Sequence, residues 1–275
     1  MSPLEAVRDV ARELGEAGVP SPRVDAEFLV AHVLECGRTD LYRRDSEVTS
    51  EELVRLRLLV DRRRSREPLA YVLGEWGFRG LTLNVDPRVL IPRPETELLV
   101  ERCLERLQEI ESPRVLDVGV GSGAIALAIA QEHPRARVLA VDRSPAALEV
   151  ARDNLAASAV DGRVEFREAD LLRGILGPFD LVVSNPPYVA PDEIETLEPE
   201  IRLYEPRAAL VGVGVGEAIA EAARSILSPG GWLLIECGDG QAGSLAAELD
   251  RLGYRDVVKT LDLAGRERIV EGRWG

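Results

Sequence analysis

From residue 95 onward, the sequence alternates short apolar strands with helical segments, and this alternation restricts the fold more than any other feature. Parallel strands need a crossover connection, usually a helix, so the pattern indicates a mostly parallel sheet with helices on both faces. After a helix at about 95–110, the predicted strands are Val115–Val118, Arg137–Val141, Val164–Arg167, Asp180–Ser184, Trp232–Glu236, Asp256–Leu261 and Arg268–Glu271, and the predicted helices among them span 123–132, 145–157, 217–227 and 241–252. Only Asp262–Glu267 separates the last two strands, which is too short for a crossover helix. The sequence therefore predicts an α/β fold with a seven-stranded, doubly wound, Rossmann-like sheet that ends in an antiparallel hairpin.

The first third of the chain carries start signals for three helices. Ser2-Pro3-Leu4-Glu5 has the spacing of a capping box with proline at the first helical position, and Thr49 and Glu52 have the same spacing. Ser21-Pro22 opens a helix between them that should end near Gly37. These signals predict a small helical domain before the sheet.

Residues 69–91 change character and mark a junction. They combine aromatic and branched side chains with regularly placed glycines, which indicates a β-hairpin, and a proline-rich segment follows. We therefore expect two domains, with residues 1–84 forming the helical domain and its hairpin linker, and residues 85–275 forming the sheet domain.

The charge of the chain is negative and unevenly distributed. The 275 residues have a net charge of −14; residues 1–80 hold 13 basic and 15 acidic residues, whereas 81–275 hold 21 and 33. Because duplex nucleic acid requires phosphate neutralisation by Lys and Arg, we expect no direct duplex binding. A local exception is the cluster of Arg62, Arg63, Arg64 and Arg66, which either forms a solvated helix end or contacts an anion or a partner.

Cysteine and histidine usage predicts a reducing compartment and no metal site. Three separated cysteines and two histidines are too few for a disulfide framework or a zinc site. The first residues lack the basic start and apolar stretch of a signal peptide, and no apolar run reaches the ~18–20 residues needed to span a bilayer. We expect a cytoplasmic protein without a membrane partner, present as a monomer.

A glycine-rich loop follows the first strand of the predicted sheet. Gly119, Gly121 and Gly123 alternate with Val120 and Ser122, and glycines at such positions let the backbone turn tightly and approach a ligand. Asp142 ends the next strand, where a carboxylate can accept both hydroxyls of a ribose. The pair is typical of a site for S-adenosylmethionine or a nicotinamide dinucleotide, and a merely tight strand–helix turn is the structural alternative.

Asp170-Leu171 follows the third predicted strand. It is a candidate adenine contact, unless Asp170 simply caps a helix.

Ser184-Asn185-Pro186-Pro187-Tyr188 directly follows the fourth strand and is the most specific motif in the chain. Prolines remove backbone donors and stiffen the loop, so the Asn185 side-chain oxygen and the Pro186 carbonyl are left as acceptors. Two acceptors suit a planar NH2 group, which Tyr188 could pack against. A proline-rich turn ending a strand is the structural alternative, but a glycine loop on the same sheet favours amino methyl transfer.

These motifs together resemble the HemK/PrmC family, the protein-(glutamine-N5) methyltransferases of class 1 peptide chain release factors. The resemblance covers nearly the whole chain. It is carried by Pro68–Trp76, by Leu90–Glu97 with the sequence LIPRPETE, by the glycine loop, by Ser184–Tyr188 and by Glu205–Leu210. It implies a helical domain that helps to hold the release factor, a hairpin linker and a seven-stranded methyltransferase domain that converts S-adenosyl-L-methionine to S-adenosyl-L-homocysteine.

The resemblance also implies roles for individual residues. The residues implied to bind the cofactor are Gly119, Val120, Gly121, Ser122, Gly123, Asp142, Asp170, Leu171 and Asn185, and those implied to hold the substrate glutamine are Asn185, Pro186, Pro187 and Tyr188, of which Asn185, Pro186 and Tyr188 are the predicted catalytic residues. Two positions depart from the family pattern: Val120 replaces a usual threonine, and Gly212–Gly216 lacks an acidic residue. That second departure leaves the loop conformation open.

Three other functions compete with this prediction. An adenine-N6 methyltransferase would use the same motif on a flipped base, but it requires a basic groove. A nicotinamide-dependent oxidoreductase would give the Asn-Pro-Pro-Tyr motif no role. A non-catalytic binding module would not need the intact motif.

Overall fold

The computed structural model describes residues 1–44, 46–160 and 162–275. In chain order the helices are α1 (Pro3–Glu16), α2 (Pro22–Val33), α3 (Ser50–Arg64), α4 (Leu69–Leu73), α5 (Pro94–Leu107), α6 (Ala124–Glu132), α7 (Pro145–Ala157), α8 (Pro199–Tyr204), α9 (Arg207–Leu210), α10 (Val215–Ala223) and α11 (Ala242–Leu252). The strands are β1 (Glu75–Phe78), β2 (Leu81–Asn84), β3 (Arg114–Val118), β4 (Arg137–Asp142), β5 (Val164–Glu168), β6 (Phe179–Ser184), β7 (Leu227–Glu236), β8 (Arg255–Leu261) and β9 (Glu267–Arg273). Short 3-10 turns lie at Arg38–Tyr42 and Ile194–Thr196.

The chain divides into two compact units. The first comprises Met1–Glu75 and Leu197–Tyr204, and the second comprises Trp76–Thr196 and Glu205–Gly275. This division differs from the predicted boundary after residue 84 in two ways. First, the hairpin residues from Trp76 onward belong to the unit that contains the sheet. Second, Leu197–Tyr204, between β6 and β7, belongs to the helical unit, so no single boundary in the sequence divides the chain.

The first unit is helical and begins as its capping signals predict. The side chains of Ser2 and Thr49 each accept a hydrogen bond from the backbone N–H of the glutamate three residues later. The side chain of that glutamate accepts one from the backbone N–H of Ser2 or Thr49, so both capping boxes form. Apolar faces of α1, α2 and α3 enclose a core that includes Leu14, Leu29 and Leu56. Helical periodicity and caps located the starts of these helices, whereas α2 ends at Val33 rather than near Gly37.

The arginine cluster of α3 is paired inside this unit. The pairs are Arg62 with Glu67, Arg63 with Asp25 and Glu200, Arg64 with Asp61 and Glu13, and Arg66 with Glu200 and Glu198. Arg63 is only 4% exposed. Neither a solvated helix end nor a docking patch describes Arg63 and Arg66, because their charges hold α8 in the helical unit. Arg62 and Arg64 are 43% and 44% exposed, and for them both interpretations stay predictions.

The predicted hairpin is correct in kind but starts later than residue 69. Residues Leu69–Leu73 form α4, and Gly74 ends it in the left-handed conformation with φ of 80°. The two strands, β1 and β2, then pair as a separate sheet. A continuous apolar run as short as Leu69–Leu73 cannot be assigned to helix or strand by pattern alone, which is why the sequence misplaced this start.

The second unit contains the predicted seven-stranded sheet. Its order is β5-β4-β3-β6-β7-β9-β8, with parallel pairing from β5 to β7. The last strand, β9, lies between β7 and β8 and is antiparallel to both, which confirms the prediction for the C-terminal hairpin. Strand β7 begins at Leu227, five residues before the predicted start, because Leu227 pairs with Phe179 across an irregular register.

Helices cover both faces of this sheet. One buried cluster combines residues of α5, α6 and α7 with Val115 of β3. The other combines residues of α10 and α11 with Leu116 of β3. Since neighbouring strand residues point to opposite faces, Val115 and Leu116 contribute to different cores, and the sheet is doubly wound.

In the described part of the chain, no helix is both long and apolar enough to cross a membrane. Within the same residues, no group of three or more His, Cys, Asp or Glu is arranged to hold a metal ion.

Candidate active site

A cavity of about 260 Å³ lies where β3, β4, β5 and β6 reach their carboxyl ends. Strands β3 and β6 are neighbours, and the chain continues from β3 towards β5 on one side and from β6 towards β7 on the other. This is the topological switch point at which open α/β sheets bind ligands. The cavity therefore lies where the sequence placed its cofactor loop and its chemical motif.

Only alternate residues of the glycine loop face this cavity. Gly119 and Gly121 line it with φ angles of 83° and 53°, and a Cβ built on either meets no atom of the described residues within 4 Å. Val120 and Ser122 are instead buried, at 5% and 3% exposure. A Cβ on Gly123 would lie 3.2 Å from Leu127 of α6.

The loop thus offers bare backbone at Gly119 and Gly121, where a ligand can approach, and uses Gly123 to seat the helix. This cradle fits the predicted nucleoside cofactor. The valine that replaces the family's usual threonine at position 120 packs in the core rather than towards the cavity.

Asp142 at the end of β4 connects the cavity to the glycine loop. Its Oδ2 accepts a hydrogen bond from the Gly121 backbone at 3.0 Å, and its Oδ1 accepts one from Ser144 at 2.9 Å. Each carboxylate oxygen can accept a second bond. Asp142 therefore fixes the loop and keeps one acceptor position per oxygen, the arrangement that a vicinal diol would use.

Asp170 and Leu171 follow β5 and both line the cavity. Leu171 has a φ of 51°, an uncommon conformation for a leucine, and residues 171–174 form turns rather than a helix. The helix-capping alternative for Asp170 is therefore not realised. The Leu171 side chain gives the cavity wall a nonpolar surface at this point.

Asn185 is held by a chain of hydrogen bonds that the sequence did not predict. Its Nδ2 donates to Thr96 Oγ1 at 3.0 Å, and Thr96 Oγ1 donates to Glu236 Oε2 at 2.8 Å. Asn185, Pro186 and Pro187 all line the cavity, while the preceding Ser184 donates to the Val118 carbonyl at 2.6 Å. The loop is thus anchored at β3 and presents the Asn185 amide at the cavity wall.

Tyr188 lies apart from the other three motif residues. It lines a second cavity with Glu193, Glu217, Cys237 and Gln241, and Pro186 and Pro187 line both this cavity and the first. Gln241 donates to the Tyr188 carbonyl at 2.9 Å, and burial raises the pKa of the Tyr188 hydroxyl to about 12. The phenol therefore stays protonated at physiological pH and offers no base.

Two of the family motifs meet beside the site. Arg93 of LIPRPETE pairs with the buried Glu205 at 2.5 Å, and Pro206, Ala208 and Ala209, which follow Glu205, line the cavity. Burial raises the pKa of Glu205, although Arg93 opposes this shift. The ion pair joins two segments that are 112 residues apart in the chain. Because the two segments lie so far apart, local sequence patterns do not connect them.

The loop at Gly212–Gly216 packs closely on the motif despite its departure from the family pattern. The Gly212 backbone donates to the Val189 carbonyl at 3.1 Å, and a Cβ at Gly212 would lie 2.5 Å from the Pro187 carbonyl oxygen. Gly214, with a φ of 72°, precedes the first residue of α10. Glycine at 212 is therefore required by the close approach of the Pro187 backbone.

Asn154 of α7 is another buried polar residue that sequence reasoning missed. Its side chain exchanges hydrogen bonds with the Asn84 backbone and donates to the Ser122 carbonyl at 2.8 Å. It thus ties the glycine loop to strand β2. The only sequence signal was a polar residue on the apolar side of a predicted helix.

Comparisons with known proteins match both parts of the chain. Residues 5–74 match the family model of the PrmC N-terminal domain, and residues 94–201 match that of the methyltransferase small domain. The release factor glutamine methyltransferase of Deinococcus radiodurans is 45% identical over 94% of this chain and 94% of its own length. That of Geobacter sulfurreducens is 43% identical over 95% of this chain and 93% of its own length.

A solved structure supports the fold alone. A methyltransferase from Pyrococcus furiosus superposes with a TM-score of 0.51 at 19% identity, covering 71% of this chain and 90% of that protein. The two curated relatives, by contrast, match more than nine-tenths of this chain and of their own length. By this full-length identity, the chain belongs to the release factor glutamine methyltransferase family.

Proposed function

We propose that the protein transfers a methyl group from S-adenosylmethionine to the side-chain amide nitrogen, N5, of the glutamine in the Gly-Gly-Gln motif of class 1 peptide chain release factors. The observation that carries this proposal is the Asn185 amide, whose nitrogen is committed to Thr96 while its oxygen stays available beside a nucleoside-sized cradle. The names of the full-length relatives support the substrate.

S-adenosylmethionine supplies an electrophilic methyl group when it is bound. Gly119 and Gly121 allow its close approach to the backbone, the free acceptor positions of Asp142 suit its ribose hydroxyls, and Leu171 suits its adenine. Val120, Ser122 and Gly123 support the glycine loop from the core side. Asp170 is exposed and lies at the rim of the cavity. We assign direct contact with the cofactor to Gly119, Gly121, Asp142 and Leu171.

Asn185 and Pro186 hold the acceptor nitrogen in this proposal. An uncharged carboxamide has two N–H groups, and the Asn185 oxygen and the Pro186 carbonyl can each accept one. The two acceptors aim the nitrogen at the methyl group and stabilise the positive charge that develops on it during in-line transfer. Pro187 keeps this corner rigid, and Tyr188 shapes the approach from the second cavity.

Replacing Asp142 with alanine is expected to weaken S-adenosylmethionine binding by about 1.5–3 kcal/mol, the range for hydrogen bonds to a charged group. The variant loses the ribose acceptors and the bonds to Gly121 and Ser144. Isothermal titration calorimetry measures the change in Kd. Asp250→Ala, an exposed position on α11, is the matched control. Unchanged affinity in Asp142→Ala would refute the ribose assignment.

The substrate assignment has a direct test. The protein is incubated with methyl-labelled S-adenosylmethionine and, separately, with a release factor, the same factor with its motif glutamine changed to alanine, and duplex DNA. We expect mass spectrometry to find the label on the motif glutamine alone. A label on adenine would instead support the alternative predicted from the sequence, for which the acidic charge of residues 81–275 is unfavourable.

We further propose that the helical unit helps to hold the release factor and that the protein acts as a monomer. The support for the first point is the match of residues 5–74 to a domain model specific to this family. Size-exclusion chromatography with light scattering, with and without release factor, tests both.

A further inference from the structure

Three segments that are distant in sequence converge behind the Asn185 side chain. Thr96 comes from the first turn of α5, Asn185 follows β6, and Glu236 ends β7. Thr96 is 4% exposed and Glu236 is 1% exposed, so the two side chains are nearly removed from solvent. Burying such polar side chains costs free energy unless each of them is hydrogen-bonded. When each is hydrogen-bonded, the network holds the side chains in one geometry.

The chemistry of the three groups fixes the direction of every bond. An ionised Glu236 can only accept, so the single hydroxyl proton of Thr96 must point to it. The Thr96 oxygen then has only lone pairs to offer Asn185, which must turn its NH2 towards Thr96. The Asn185 oxygen is left free, and the described residues donate no hydrogen bond to it.

We infer that Thr96 and Glu236 are positioning residues that lock the Asn185 amide in the orientation that presents its oxygen, rather than its NH2, to the methyl-accepting amide. This inference rests on the proposed role of Asn185. A flipped Asn185 would place N–H donors against the N–H donors of the substrate and would repel it. The Thr96–Glu236 pair thereby gives a function to the PETE part of LIPRPETE, which the cofactor and substrate contacts leave unexplained.

The protonation of Glu236 gives the lock a pH dependence. Burial raises the pKa of Glu236 to about 7, with Glu95 adding to the increase and the Thr96 bond, Arg268 and Arg93 opposing it. The other titratable groups coupled to Glu236, the Tyr188 hydroxyl and the Cys237 thiol, have pKa values raised to about 12 and about 11 and remain neutral. A protonated Glu236 can donate to Thr96, which permits Thr96 to donate to a flipped Asn185.

The first test separates the effect of the Thr96 hydroxyl on kcat from the effect of the side-chain volume. Thr96→Val keeps the volume and removes the hydroxyl, and we expect kcat to fall about tenfold while the Kd for S-adenosylmethionine changes less than about threefold. Thr96→Ser restores the hydroxyl and is expected to recover most of the lost kcat. Thr82→Val, at an exposed position of β2, is the matched control.

The second test measures kcat from about pH 6 to pH 9. If Glu236 had only a structural role, its protonation would not change kcat over this range. The wild type is expected to lose activity on acidification with an apparent pKa near 7, because Glu236 is then protonated. Glu236→Gln carries both a donor and an acceptor at every pH, so its kcat is expected to be lower at pH 8 and to lack the acid limb.

These experiments distinguish the inference from the proposed function when Asn185→Ala is assayed in parallel. An inactive Asn185→Ala with a fully active Thr96→Val overturns the inference alone, as does an acid limb that persists in Glu236→Gln. Equal losses in Thr96→Val and Thr96→Ser also overturn it, because the hydroxyl would not matter. An active Asn185→Ala would overturn the proposed role of Asn185 itself.

Discussion

Replacing Asn185 with alanine is expected to lower kcat for glutamine methylation by about 10²–10³-fold, the loss seen when one group that stabilises transition-state charge is removed. The variant loses the acceptor that positions the substrate nitrogen, but the glycine loop and Asp142 are untouched. Cofactor affinity should therefore stay within about tenfold, or 1.4 kcal/mol. Single-turnover kinetics with release factor and calorimetry with S-adenosylmethionine measure the two effects.

The matched control is Asn84→Ala. The Asn84 side chain is exposed, and its bonds to Asn154 use backbone atoms that the substitution retains. Wild-type activity is expected there. A loss of cofactor affinity in Asn185→Ala as large as its loss of rate would show that Asn185 serves the cofactor rather than the substrate.

Replacing Arg63 with alanine is expected to destabilise the helical unit by about 3–5 kcal/mol, the cost of leaving buried charges without a partner. Arg63 donates to Asp25 at 2.7 Å and to Glu200 at 2.9 Å. Asp25 is 7% exposed, so solvent cannot replace the lost guanidinium. Urea unfolding followed by circular dichroism measures the change in the free energy of unfolding.

Arg64→Ala is the control for this prediction. The Arg64 side chain is 44% exposed and lies 3.6 and 3.7 Å from its carboxylate partners, so the expected loss is about 0–1 kcal/mol. Equal destabilisation of the two variants would contradict the Asp25–Arg63–Glu200 triad as the source of stability.

The same triad predicts a pH effect. Partial burial raises the pKa of Glu200, but hydrogen bonds from Arg66 and Arg63 outweigh this effect and hold the pKa below its usual value. Such a carboxyl stabilises the folded state above its unfolded pKa, and this contribution is lost as pH falls through the lowered pKa. The wild type should therefore lose more stability on acidification than Arg63→Ala.

The sequence predicted those elements whose signals are local. The capping boxes at Ser2 and Thr49 and the strand preceding Gly119 are recorded within a few neighbouring residues, and all three are confirmed. The predicted span 145–157 coincides with α7. The start of the hairpin failed because Leu69–Leu73 is too short for helical and strand periodicity to differ.

The positions lining the cavity were only partly predictable. The predicted residues that line the cavity lie at or just after strand ends, and strand ends meet at one edge of a parallel sheet. They are Gly119, Gly121, Asp142, Asp170, Leu171, Asn185, Pro186 and Pro187. Which face each residue presents was not encoded in the spacing. Ser122 and Val120 therefore turned inward, and Tyr188 turned to the second cavity.

The sequence by itself determined the mostly parallel, doubly wound sheet, the position of the glycine loop and the identity of the Asn-Pro-Pro-Tyr loop. These features are local, because hydrophobic periodicity, glycine and proline set the conformation of the backbone next to them. Only the tertiary structure decided how Thr96 and Glu236, 140 residues apart, orient Asn185, and how Arg63 joins Glu200 across 137 residues. Hydrogen bonds and ion pairs depend on distances of about 3 Å in space. Such proximity is set by the packing of whole elements and leaves no local mark in the chain.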